Sequence, residues 1–334
     1  MVFFITPDYW GYGKEKSKDS VVDNDRVEDD KCLYREAVDI TSQPLIKIQS
    51  LWKSYQENTI SHIKKAVTGH KLTYVVKNLT LNIYEHTIMS LLGHNGAGKT
   101  STINVLTGVH SPTKGNVFIN NLDIRTRMTD IRRDLGFCPQ HNVLLGFLSP
   151  IEHLEFFCQL KGQKFERDEA IELLEKIHMA DKKNVRADKL SGGQKRKLSL
   201  AIALIGNSKV VILDEPSAGV DVHSCREIWN LLLAEKHRRT ILITTHYMEE
   251  ADILSDHISI MLNGKLQCVG SPLYLKKTFG AGYHLNSQFV EHDGRRDMVD
   301  TNVNNVFNLL KLHCPEVKIQ SYYAEQATYI LSDK

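Results

Sequence analysis

From Leu45 the chain alternates apolar and polar positions. Leu45-Ile46-Lys47-Ile48-Gln49-Ser50-Leu51-Trp52-Lys53-Ser54-Tyr55 opens with a period of two, which predicts a half-buried strand and the start of the folded domain near Leu45. A second pair of strands fits residues 74–84 and 87–92, with a long loop over residues 56–70. A turn at Ser111-Pro112-Thr113-Lys114-Gly115 then leads into a strand over residues 116–120. These strands predict a small antiparallel sheet. Further on the period changes. Ser149-Pro150 reads as a helix cap with proline in the first turn, and Ile151, Leu154, Phe157 and Leu160 recur on one helical face. A second helix near residues 168–179 places Ile171, Leu174 and Ile177 in the same way. Together they predict a helical subdomain, about residues 141–205, inserted between core strands.

Three apolar runs end in residues that carry chemistry. Ile88 to Leu92 leads into Gly93-His94-Asn95-Gly96-Ala97-Gly98-Lys99-Thr100-Ser101, with a helix expected from about Thr100 to Leu106. Strand, glycine-rich loop and helix in that order form a P-loop. Its glycines turn backbone N–H groups toward phosphate at the positive end of a helix, Lys99 adds a charge for the β and γ phosphates, and Thr100 offers a hydroxyl to Mg2+. Val210-Val211-Ile212-Leu213-Asp214-Glu215-Pro216 reads as a buried strand ending in two carboxylates. Asp214 would hold Mg2+ through water, and Glu215 would polarise the water that attacks the γ phosphate. Thr240-Ile241-Leu242-Ile243-Thr244-Thr245-His246 is a strand ending in histidine. Leu190-Ser191-Gly192-Gly193-Gln194 places a second glycine-rich turn at a helix N-terminus, a second phosphate-binding device.

Composition changes this picture little. The 334 residues are 42% hydrophobic and 25% charged, with Lys+Arg 42 against Asp+Glu 40, so charge argues for no particular partner and nucleic acid is not expected. Six scattered cysteines, at 32, 138, 158, 225, 268 and 314, form no CxxC pair and predict free thiols in a reducing cytosol. No apolar run approaches the roughly 20 residues that span a bilayer. Residues 1–13 are nonetheless dense in aromatics of the kind found at membrane interfaces, and residues 14–44 read as a charged linker, with five basic and seven acidic residues between Lys14 and Lys31. Asn78-Leu79-Thr80 matches a glycosylation sequon, but a strand in a cytosolic domain argues against its use.

The order of P-loop, Gln140, Leu190 to Gln194, Asp214-Glu215, Ser217-Ala218-Gly219-Val220-Asp221 and His246 resembles the nucleotide-binding domain of ABC transporters over about residues 45–282. The resemblance implies an α/β fold, a P-loop NTPase core with an antiparallel β subdomain and an inserted helical subdomain. It implies that Ser191, Gly192, Gly193 and Gln194 form the signature motif, binding the γ phosphate of ATP held on a partner domain in a head-to-tail dimer. By the same resemblance Gln140 senses Mg2+ and the attacking water and its flanking segment meets the transmembrane part, Ser217 to Asp221 link the two sites, His246 contacts the γ phosphate, and Tyr55 stacks on adenine. Trp52 and Tyr74 are alternatives for that last role. No Asn-Lys-x-Asp stretch follows the P-loop, which disfavours a GTPase.

The finer resemblance is to the A subfamily of lipid transporters, carried by residues 93–100, Cys138-Pro139-Gln140-His141-Asn142-Val143-Leu144, Arg196-Lys197-Leu198-Ser199, residues 217–221 and Cys268-Val269-Gly270-Ser271. It implies the first of two nucleotide domains in one long transporter, on the cytoplasmic side of a membrane, with residues 1–13 leaving the last helix of the preceding membrane half. Gln194-Lys195-Arg196 departs from the family's usual Met before Gln. Residues 283–334 resemble the start of the subfamily's small α+β regulatory region. Their helical face is Val299, Val303, Val306 and Leu310, and their paired strands cover residues 317–323 and 327–331 around Ala324-Glu325-Gln326. The alternatives are a non-transporter ABC ATPase and a regulatory module that dimerises on ATP without hydrolysing it.

Overall fold

The computed structural model describes residues 34–36, 43–55, 73–279, 283–288, 296–323 and 326–331. The aromatic stretch 1–13, most of the linker 14–44, the loop at 56–70 and the turn at 324–325 lie outside them. The chain divides into two compact units, Met1–Ser271 and Pro272–Lys334.

The first unit is built on a seven-stranded sheet and a four-stranded one. Its elements, in chain order, are β1 (Tyr34–Arg35), β2 (Pro44–Ser54), β3 (Tyr74–Tyr84), β4 (Ile88–Leu92), α1 (Lys99–Leu106), β5 (Lys114–Ile119), β6 (Leu122–Asp123), α2 (Met128–Asp134), β7 (Leu135–Cys138), α3 (Pro150–Leu160), α4 (Arg167–Lys176), α5 (Gly192–Leu204), β8 (Val210–Asp214), α6 (Val222–Glu235), β9 (Thr240–Thr245), α7 (Met248–Leu254), β10 (His257–Leu262) and β11 (Lys265–Gly270). The large sheet runs β1-β11-β10-β4-β9-β8-β7, parallel from β10 to β7, with β11 antiparallel to β10. The antiparallel sheet runs β3-β2-β5-β6.

Three expectations are corrected here. Strand β4 does not pair with β3; it lies in the large sheet between β10 and β9. All five of its residues are buried, and a strand covered on both faces belongs in a parallel sheet. The folded unit also begins before Leu45, because Tyr34 and Arg35 pair with Cys268 and Val269 at the sheet edge. A two-residue strand has no period for a sequence to display. The second predicted helix is α4, and it stops at Lys176. Ile177 caps it outside helical geometry, and His178 follows at φ 55, a left-handed residue that cannot continue a helix.

Successive residues of the central strands enter different cores. Ile88, Val211, Leu213, Ile241 and Ile243 pack in one cluster with Leu154, Leu174, Leu198 and Leu232 of the helices. Met89, Leu91, Val210, Ile212 and Leu242 pack in the other with Ile103 and Leu106 of α1 and Ile46, Ile48 and Leu81 of the antiparallel sheet. Each fully buried Ile or Leu contributes about 1.5–3 kcal/mol, so the sheet is clamped from both sides. Among the described residues, no helix is long and apolar enough to cross a membrane.

The second unit holds α8 (Pro272–Phe279), β12 (Tyr283–Gln288), α9 (Arg296–His313), β13 (Lys318–Tyr323) and β14 (Gln326–Leu331). Its antiparallel sheet runs β12-β14-β13. Val303 of α9, Val317, Ala327 and Tyr329 form its core, and the Tyr329 hydroxyl donates to the Val303 carbonyl at 3.1 Å.

Candidate functional site

Four adjacent strands deliver the candidate residues to one edge. In the order β4-β9-β8-β7 their carboxyl ends lead to the P-loop, His246, Asp214-Glu215 and Gln140, and the carboxyl edge is where an open α/β sheet places its ligand. Register keeps the ends level: Leu92 faces Thr245, Asp214 faces Thr244 and Cys138 faces Leu213.

The P-loop, residues 93–101, closes tightly on itself. Gly98 precedes α1 at φ 105, and a Cβ there would lie 2.9 Å from the Val75 carbonyl. No side chain caps α1, whereas Ser191 caps α5 and Asp221 caps α6. The first N–H groups of α1 therefore carry no side-chain cap among the described residues. His94, Asn95 and Gly96 are exposed at the loop's tip, Ala97 is buried beneath it, and Thr100 and Ser101 open the helix. The buried Lys99 ammonium folds back to donate to the Gly93 carbonyl at 2.6 Å and the His94 carbonyl at 3.2 Å. Burial lowers its pKa, and the neighbouring Glu215 and then Asp214 act the other way.

Glu215 is the centre of the cluster. Gln140 donates from Nε2 to one carboxylate oxygen at 3.1 Å, His246 Nδ1 lies 3.1 Å from the other, and Lys99 Nζ lies 3.9 Å from that second oxygen. The backbone of Glu215 is strained, with φ 48. Its N–H is fixed by Thr244, through the carbonyl at 3.0 Å and the hydroxyl at 3.2 Å. The same Thr244 hydroxyl donates to Asp214, which also has a side-chain hydrogen bond with Thr100. Burial raises the Asp214 pKa first, the Thr244 hydrogen bond opposes it, and the Glu215 charge adds to the rise.

Ser191, Gly192, Gly193 and Gln194 stand apart from this cluster at the start of α5. Ser191 N–H donates to Gln194 Oε1 at 3.0 Å and Gln194 N–H to Ser191 Oγ at 3.2 Å, a reciprocal cap that uses two of the N–H groups expected to face phosphate. Gly192 remains at the exposed end. Tyr55 is also separate. The residue is 43% exposed, and its ring meets His110 edge-on at 5.3 Å and has Lys53 Nζ 5.1 Å from its centre. Trp52 and Tyr74 pack on one another at 5.0 Å.

A family model described as ABC transporter matches residues 76–218. The chain carries an ABC transporter domain. Over 334 aligned residues it is 41% identical to the human phospholipid-transporting ATPase ABCA3, covering 98% of this chain and 18% of that protein. It is 49% identical to the rat ATP-binding cassette sub-family A member 2 over 239 residues, 69% of this chain and 10% of the relative. The chain spans under a fifth of the length of the curated relatives it matches, and those relatives agree with an A-subfamily nucleotide-binding domain. The ATP-binding cassette MJ0796, solved as a dimer in a post-hydrolysis state with ADP and Pi, superposes with TM-score 0.60 at 25% identity, over 68% of this chain and 98% of that one. The ATP-binding subunit of an ABC transporter superposes at 0.61 with 23% identity, which shows the fold, over 71% and 93%.

Sequence reasoning passed over Thr244 and Arg196 as site residues. Thr244 was visible only as a polar position inside an apolar strand, next to a second threonine. Arg196 carried a stronger signal: a cation entering a helix of buried Leu, Ile and Ala positions needs a reason to be there.

Proposed function

We propose that this ABC domain binds and hydrolyses ATP and, paired head-to-tail with a second such domain, drives lipid movement across a membrane as the cytoplasmic part of a transporter. One observation carries the reading: Glu215 is held on one oxygen by Gln140 and on the other by His246, at the mouth of a P-loop whose helix has a free N-terminus. Phosphoryl transfer needs positioning and charge stabilisation more than covalent help, and this arrangement supplies both. Lys99 and the N–H groups of α1 bind the β and γ phosphates, with Gly93, His94, Asn95, Gly96, Ala97, Gly98 and Ser101 shaping the cradle. Glu215 accepts a proton from the attacking water. Gln140 and His246 orient it, Tyr55 stacks on adenine, and Ser191 to Gln194 close over nucleotide on the partner domain.

The donor set fits Mg2+. Asp214 and Glu215 lie beside the Lys99 ammonium, and the carboxylate of Asp214 and hydroxyl of Thr100 are hard oxygen donors already side by side. Among the described residues no three His, Cys, Asp or Glu side chains are grouped for a metal. Thr100, Asp214 through water, and Gln140 would hold the ion. When bound, the ion neutralises charge building on the phosphates.

The lipid cargo and the second domain come to the proposal from the relatives' names and the dimeric neighbour. Glu215→Gln tests the chemistry. The amide cannot take a proton, so turnover is expected to fall by about a hundredfold or more while ATP affinity is kept and a persistent ATP-bound dimer accumulates. Steady-state hydrolysis at the wild-type rate would remove Glu215 from its role.

A further inference from the structure

Arg196 is 2% exposed, and each of its hydrogen-bonding nitrogens is spent on the two loops that carry Gln140 and Glu215. Nη1 donates to the carbonyls of Pro139 at 2.6 Å and Gln140 at 3.1 Å, and to Asn142 Oδ1 at 3.4 Å. Nη2 donates to the carbonyls of Asp214 and Glu215, both at 2.8 Å, and Nε to that of Pro216 at 2.8 Å. None of these acceptors carries a formal charge. Burying a guanidinium without a carboxylate partner is costly unless its donors are satisfied, and five carbonyls converging from two segments do that.

The pattern has a purpose that packing alone does not supply. Glu215 sits at φ 48, a conformation an L-residue keeps only when its surroundings over-determine it. Arg196 takes the carbonyl of Glu215 and those on either side, while Thr244 takes its N–H. The same planar group holds the carbonyl of Gln140, so one rigid fork sets the spacing of the two side chains that meet at 3.1 Å. Ser199, one turn along α5, donates to Asn142 Oδ1 at 3.2 Å and reinforces the grip.

We propose that Arg196 is a positioning residue for hydrolysis, fixing Glu215 and Gln140 relative to one another from α5. The inference rests on the proposed ATPase reading. Lysine at this position keeps the charge but offers one point instead of a fork, and cannot reach both segments. In the purified full-length protein, Arg196→Lys is expected to lower kcat by about tenfold to a hundredfold, the effect of misplacing a reacting group by an ångström. Equilibrium affinity for ATP without Mg2+ should stay within about threefold, since binding through Lys99 and α1 does not pass through Arg196.

A double-mutant cycle separates positioning from mere support of the fold. With Glu215→Gln already present, adding Arg196→Lys should leave the residual rate unchanged within about twofold, because there is no base left to position. An equal loss of kcat in both backgrounds overturns the assignment, as does an unchanged kcat in Arg196→Lys alone. Should Arg196→Lys not fold, Asn142→Ala at its exposed position serves instead: kcat about threefold lower at constant affinity for ATP without Mg2+ supports the role, and unchanged kcat overturns it. A wild-type protein that hydrolyses no ATP overturns the proposed function and this role together. A working ATPase whose variants keep kcat overturns this role alone.

Discussion

At His153 one proton decides how the segment after Gln140 is held. The ring is fully buried, Nε2 accepts from the Leu145 N–H at 2.9 Å, and Nδ1 lies 2.9 Å from the Ser149 carbonyl, so the neutral Nδ1–H tautomer satisfies both contacts. Burial lowers its pKa, with Ser149 and Glu152 acting the other way. A depressed folded-state pKa means that the unfolded chain takes the proton first as pH falls. The stabilisation is therefore complete above about pH 6.5 and lost as pH drops toward the folded value. Glu152, whose pKa is lowered by its hydrogen bonds from Ser149, loses its contribution further down, in the carboxylate range near about pH 4. Wild type should exceed His153→Gln in unfolding free energy by about 1–3 kcal/mol at alkaline pH, and the gap should close on acidification toward about pH 5. Denaturant titrations across that range check it, and a gap that stays constant would refute the tautomer assignment.

Between elements, β7 and α5 approach one another closely. A Cβ on Gly136 would stand 1.9 Å from the Ala203 carbonyl, so no side chain fits between strand and helix. Gly136→Ala should cost about 3 kcal/mol in chemical denaturation, because backbone has to move. Gly192→Ala, where a Cβ meets nothing within 4 Å, should stay within about 0.5 kcal/mol of wild type. Equal effects at the two glycines would count against this packing. Contacts of this kind explain what the sequence could and could not reveal. The P-loop, the alternation from Leu45 and the Ser149-Pro150 cap are local patterns and were legible. The placement of β4 was not, because its neighbours β9 and β10 lie some 150 residues further along. The roles of Thr244, Arg196 and His153 were hidden for a related reason: each acts largely on backbone groups, which look alike in any sequence.

At the scale of the molecule, the proposed function has two copies share each site. Ser191 and Gln194 are occupied with each other's backbone and are not joined to the Lys99–Glu215 cluster, which fits a motif that serves another copy's nucleotide. ATP hydrolysis by this chain alone should rise more steeply than its concentration, with tenfold dilution lowering the rate by about a hundredfold where monomer dominates. A rate strictly proportional to concentration at every dilution would sink the shared-site reading. The strand order carries a consequence for how the chain is made. Strand β9 is the last of the four site strands to be synthesised, yet it lies between β4 and β8. A nascent chain that has not yet released Thr240–Thr245 from the ribosome holds the P-loop and the Glu215 carboxylate on strands with a vacant lane between them. Affinity for nucleotide should thus emerge abruptly once that lane is filled.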